Sequence, residues 1–353
     1  MKPITFACTL LLVNVLLPLP STAQTVYTAL QIPAYCQQTP FSVKMFPERK
    51  IYAFSQIQQM MLTFNLDGSL ASQINVLDNR PQDIQYHFMD FQVDDKGKIY
   101  ILAIWRDAPR QTHCGVFVYN ADNTFDKLIE LKKYVDARKI LIDGQKNIII
   151  VGLSPDFYFG KTSHVYLMHR YNQLGDFLNS GFEVDPRNYV PPTSVNVSSL
   201  YGTLRPLVDH LPSGFHVHRG IYAVVPGTHD IEFLEPRTFA PSRTVHLQTP
   251  NIMPPAQPES LKSAVMAGTE LQISGVHVTE NTITVYFDRE TRYQGPSARV
   301  HQTVRAVYLF DSPAPQSVSQ ITTVDRQLIE DAGVSSEQDY TFSYSDDTIR
   351  LRR

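Results

Sequence analysis

The feature that most constrains this chain is a short strand signal that returns at a nearly constant step. Glu48-Arg49-Lys50 precedes Ile51-Tyr52-Ala53-Phe54, and Asp95-Lys96-Gly97-Lys98 precedes Ile99-Tyr100-Ile101-Leu102. Asp143-Gly144-Gln145-Lys146-Asn147 then precedes Ile148-Ile149-Ile150-Val151, so Ile51, Ile99 and Ile148 stand 48 and 49 residues apart. A second marker travels with the first. Asn65-Leu66-Asp67-Gly68-Ser69 sits between two apolar runs, and so do Asn120-Ala121-Asp122-Asn123-Thr124 and Asn172-Gln173-Leu174-Gly175-Asp176, at steps of 55 and 52. Asn, Asp and Gly tolerate the left-handed backbone that hairpin turns demand. Two markers keeping a similar period identify a structural repeat.

Each unit reads as four antiparallel strands, with the polar turn before the second and the Asn/Asp/Gly turn before the fourth. A single unit of this kind cannot bury both faces, so several must pack around an axis. The composition agrees: 18 Tyr and 19 Phe among 353 residues favour half-buried pleated strands. Beyond residue 180 the period loosens, but Phe215 to His218, Thr282 to Phe287 and Tyr340 to Tyr344 read as second strands of three further units. The expected fold is therefore all-β, a six-bladed β-propeller of four-stranded antiparallel blades. Stretches 179–197 and 239–263, rich in Pro, Ser and Asn, read as loop insertions. No fourth strand follows Thr348 to Leu351, whereas Thr25 to Pro33 is strand-like and unassigned. Lending that N-terminal strand to the last blade closes the ring and removes open edges.

The first 23 residues stand apart. Lys2 precedes an apolar stretch from Ile4 to Leu17, and Ser21-Thr22-Ala23 supplies small residues for cleavage. This pattern predicts a secretory signal peptide, a single mature domain over 24–353, and a secreted or periplasmic location without a transmembrane anchor. Export removes Cys8 and leaves Cys36 and Cys114, a possible disulfide, since both are expected on the same face of the ring. A net charge of −3 gives no footprint for nucleic acid.

Units of the form Asp-x-x-Gly-x-Ile-Tyr followed by Val-x-x-Tyr-Asn-x-x-(Gly or Asn)-x-Phe resemble the repeats of NHL-type and related six-bladed propellers. The likeness is greatest to uncharacterised exported bacterial members; it covers 41–180 well and 200–353 loosely. It specifies a fold and not an activity. Proteins with this kind of propeller include a lyase with histidines around a central zinc and calcium-dependent lactonases with acidic and amide groups in the channel.

Against that background His216 and His218 are candidate metal ligands, because alternate residues of one strand share a face. The same pattern equally suits a solvated polar face. Asp90, Asp143, Asp209 and Asn281 are the available acids and amides, but they occupy different places in their units. No Gly-x-Ser-x-Gly elbow, phosphate loop or His-Glu-x-x-His is present. The loops after each second strand are expected to share one face and to carry Trp105, Arg106, Tyr158, Arg219 and Arg289. Together these would form an aromatic and cationic rim for a carboxylate or acidic peptide. The function expected is an exported ligand- or protein-binding module without a cofactor; the alternative is a calcium- or zinc-dependent hydrolase, lactonase or lyase working in the central channel.

Overall fold

The computed structural model describes residues 27–36, 42–46, 50–79, 84–107, 111–155, 164–185, 204–205, 208–209, 211–251, 265–268, 271–293, 299–323, 329–335, 338–345 and 348–352. The expected signal peptide and Tyr158 lie outside them. Strand β1 (Tyr27–Ala29) stands alone at the start. The first sheet then runs β2 (Ser42–Phe46), β3 (Lys50–Ser55), β4 (Met60–Phe64), β5 (Leu70–Asn75). The second is β6 (Tyr86–Val93), β7 (Ile99–Arg106), β8 (Thr112–Tyr119), β9 (Phe125–Glu130). The third is β10 (Asp136–Ile142), β11 (Ile148–Leu153), β12 (Val165–Tyr171), β13 (Phe177–Val184). The fourth is β14 (Ser213–His216), β15 (Gly220–Val224), β16 (Asp230–Leu234), β17 (Pro241–His246). All four are antiparallel meanders in chain order.

The C-terminal sheet contains β23 (Ile329–Ser335), β24 (Gln338–Ser345) and β25 (Thr348–Arg352), and β1 supplies its fourth strand. Tyr27 stands opposite Arg352 and Ala29 opposite Arg350, antiparallel. Between the fourth and the C-terminal sheets, 265–323 folds differently. There β18 (Val265–Gly268) and β19 (Gln272–Val278) both pair with one long strand, β20 (Thr282–Tyr293), followed by β21 (Arg299–Leu309) and β22 (Pro315–Thr323).

The expectation of six four-stranded blades is thereby corrected: the propeller has five blades of that form. The segment 265–323 makes a five-stranded sheet instead. The reason is length. With 12 residues, β20 outruns any one partner on its inner side, so two short strands share that edge. The expected loop insertions also shrink, because 179–184 belongs to β13 and 241–246 is β17, the outer strand of the fourth sheet.

The repeat signal has a physical origin in the turns. In each outer hairpin the Asn amide nitrogen donates to the residue four positions on, from Asn65 to Ser69 Oγ at 2.9 Å, Asn120 to Thr124 Oγ1 at 3.0 Å and Asn172 to Asp176 Oδ2 at 2.8 Å. The fourth residue of each turn takes a positive φ, 84° at Gly68, 69° at Asn123 and 78° at Gly175. The inner turns use a carboxylate: Asp94 Oδ1 accepts from the amides of Lys96 and Lys98, and Asp143 Oδ1 from those of Gln145 and Asn147.

The apolar core lies between neighbouring sheets. Phe54 and Met61 of the first pack with Phe88 and Phe91 of the second. Tyr100 and Val116 of the second pack with Ile140 and Ile150 of the third. Met168 of the third meets Ile221 and Leu234 of the fourth, and Ile231 and Phe233 of the fourth meet Val285 and Phe287 beyond it. Each such fully buried side chain contributes about 1.5–3 kcal/mol of transfer free energy.

Gly175 shows how closely the sheets approach. A Cβ there would lie 1.9 Å from the Glu130 carbonyl oxygen, at the end of the preceding sheet, whereas at Gly144 the nearest atom is a Phe215 ring carbon at 3.4 Å. Gly175→Ala is therefore expected to cost about 2–3 kcal/mol through positive φ and a backbone clash. Gly144→Ala should leave the urea midpoint almost unchanged, and equilibrium urea denaturation of both variants checks the contrast.

Candidate functional site

In an antiparallel meander of four strands, the first-to-second and third-to-fourth turns lie at one end, and the second-to-third loops at the other. The candidate rim residues divide between these two ends. Trp105 and Arg106 close β7 and so belong to the loop end, as expected. Arg219 lies in the turn between β14 and β15, at the opposite end. Phe215 and His216 prove to be the tail of a first strand, so the phase read from the sequence is shifted by one strand here. Arg289 lies inside β20, where its Nε and one terminal nitrogen donate to Gln302 Oε1 at 3.0 and 2.6 Å.

Trp105 is only 5% exposed. Its ring lies parallel to that of His113, 5.5 Å away, and 5.3 Å from Tyr86. Gly115 makes room for it, since a Cβ there would come within 2.8 Å of the indole. Arg106 is exposed. Of the rim residues described, only Arg106 stands open to solvent at the loop end.

The two candidate metal ligands do not share a strand. β14 ends at His216, and His218 lies in the following turn, where its amide donates to His216 Nδ1 at 3.3 Å. Burial, then the nearby Arg219 charge, lowers the His216 pKa, and burial and His216 push His277 down to about 4. Both imidazoles are neutral at neutral pH. Arg219 is a fastener: its guanidinium lies 3.5 Å from the Phe310 ring centre and donates to the Glu280 carbonyl. Among the described residues no three His, Cys, Asp or Glu side chains converge as a metal site would require. Cys36 and Cys114 are buried as thiols in separate apolar clusters, the first with Leu30, Val43 and Leu62, the second with Leu102, Val116 and Ile140. Burial raises the pKa of both.

The inner strands hold the charged cluster that sequence reading did not assemble. Asp90 on β6 is 7% exposed. It accepts from Lys44 Nζ of β2 at 2.6 Å and from the Ile140 amide of β10 at 3.1 Å. Lys44 also donates to the Phe91 carbonyl at 2.6 Å. From β10, Lys139 reaches the Leu211 carbonyl at 2.9 Å, and Arg138 lies 3.1 Å from Asp136 and 3.2 Å from Asp209. A bulge between Phe88 and Asp90, and another between Ala137 and Lys139, re-phase both strands. Through the first, Phe88 and Phe91 share one face although three positions apart, and Asp90 takes the other. Asp143 and Asn281, by contrast, serve turns.

The comparisons agree on fold. A member of the DUF4221 family from Bacteroides vulgatus matches with a TM-score of 0.52 at 10% identity, over 93% of this chain and 97% of that one. A streptogramin B lyase matches at 10% identity over 93% and 97%, with a TM-score of 0.45. A glucose dehydrogenase matches at 12% over 93% and 99%, with a TM-score of 0.46. No protein-family model and no curated protein matches the chain. The first of these likenesses supports the β-propeller fold and nothing beyond the fold.

Asp90→Ala would leave the Lys44 ammonium half-buried without its carboxylate and the Ile140 amide without its acceptor. The expected loss is about 2–4 kcal/mol. A double-mutant cycle with Lys44→Met, read by urea denaturation, should return a coupling of about 1 kcal/mol or more.

Proposed function

We propose that this propeller is an exported binding module for a protein or small-molecule ligand, and that it works without a resident metal. The observation that supports this reading is how its interior charges are used. Lys44, Asp90, Arg138 and Lys139 are spent on neighbouring sheets and on backbone groups, so they hold the ring together and offer no poised acid–base pair. Recognition then falls to the surface. The loop end of the sheets carries exposed Arg106 and, in the turn after β3, Ile57 at 64% exposure. A cation and an apolar side chain exposed at the same end of neighbouring sheets suit a ligand bearing a carboxylate. The net charge of −3 argues against nucleic acid, and among the described residues no helix is long and apolar enough to cross a membrane.

Two measurements test the reading. Metal analysis of the purified mature chain, with melting before and after a chelator, should find no stoichiometric ion and no change in Tm. A bound calcium or zinc whose removal lowers Tm by several degrees would instead support a metal-dependent hydrolase or lyase. Expression of the full chain followed by N-terminal sequencing of the exported fraction should show cleavage after Ala23. An uncleaved chain retained in the cytoplasm would remove export from the proposal.

A further inference from the structure

His113 on β8 is held on three sides. Its Nδ1 lies 2.7 Å from Glu130 Oε1, at the end of β9, and its Nε2 lies 3.0 Å from Asp107 Oδ2, just past the end of β7. Its ring stacks on Trp105 at an interplanar angle of 8°. Ionised carboxylates only accept, so the hydrogen bond to Glu130 needs a proton on Nδ1. The Asp107 contact, a charge pair at Nε2 without hydrogen-bond alignment, is attractive only when Nε2 is protonated as well. The resulting imidazolium is also the form that an indole face attracts. Trp105 is fixed in turn by Tyr86 and by the slot at Gly115.

We propose that His113 is a proton-dependent clasp joining the ends of β7 and β9, closed while the imidazole carries both protons and released when it loses one. The other charged groups nearby do not compete for it. Arg106, next to Trp105, and His87, opposite Ile104, alternate to the other face of the sheet. Tyr86 is the neighbour contributed by β6.

Burial opposes the charge on His113, but the hydrogen bond it gives to Glu130 and the negative charge of the close Asp107 outweigh it and raise the pKa above 6.5. With the folded value raised, the stabilisation is complete below about pH 6.5 and is lost as the pH climbs through the folded pKa. The clasp therefore holds in acidic surroundings and opens as the pH rises through a value above that of a free imidazole. Because Asp107 sits at the loop end of the second sheet, beside Arg106, opening would loosen the face assigned above to ligand binding. The clasp itself stands whether or not that assignment does.

The chain contains a single tryptophan, so Trp105 reports on this site alone. A stacked imidazolium quenches indole emission more strongly than neutral imidazole does. Titrating intrinsic fluorescence from about pH 6 to about pH 9 should show one rise with a midpoint above 6.5. Glu130→Gln, at an exposed position, should move that midpoint toward acid by about half a pH unit, His113→Gln should abolish the step, and His87→Gln should leave it unchanged. A flat titration, or a step that survives His113→Gln, would overturn the proposal. Should His113→Gln fail to fold, an unmoved midpoint in Glu130→Gln would overturn it equally.

Discussion

One carboxylate sets the terms for the interior of this propeller. Asp90 accepts from a lysine of the sheet before it and from a backbone amide of the sheet after it, so three sheets meet at two oxygens. Removing a carboxylate from water is costly, and the cost is offset only when its acceptor sites are filled with good geometry. Here they are filled by partners that exist only if the sheets stand in the correct order and register. Apolar packing between sheets is non-directional and would tolerate a slip. The Asp90 contacts do not, because a shift of one residue in β6 or β10 would turn donor and acceptor to opposite faces.

The bulge in β6 serves the packing beside it. A regular strand alternates its side chains, and regular alternation would send Phe88 and Phe91, three positions apart, to opposite faces. The extra residue between Phe88 and Asp90 puts both rings on the face that packs with Phe54, while Asp90 takes the other face. Irregularity on this inner strand thus sets which side chains meet the core shared with the first sheet.

The parts legible in the sequence are those decided locally. The Asn65, Asn120 and Asn172 turns need residues that accept a left-handed backbone, and few residue types do, so the turns and their period could be read. The segment from 265 to 323 was harder, because nothing local in β20 announces that two short strands will share its inner edge. The phase at Arg219 was misread for a related reason. Phe215 and His216 carry no local mark of strand order, and only pairing with Ile221 and Gly220 shows them to be part of an inner strand. Trp105 was singled out as a surface aromatic because a loop was expected beside it. Its burial depends on the missing side chain at Gly115, ten positions along and on the neighbouring strand, which no pattern in the sequence connects to it. The Lys44, Asp90 and Ile140 contacts join residues about one repeat apart and are equally invisible without the register.

The last consequence concerns time. The C-terminal sheet is completed by Tyr27–Ala29, whose partners Arg350–Arg352 lie at the far end of the chain. A strand made this early must wait until Arg350–Arg352 have followed before it can dock. Between their emergence and that docking, β25 presents an open edge that a second chain could occupy in its place. The ring is therefore sealed in a single late event, and the yield of correctly closed molecules should depend on how crowded the chains are at that moment rather than on how strong the seam is once made.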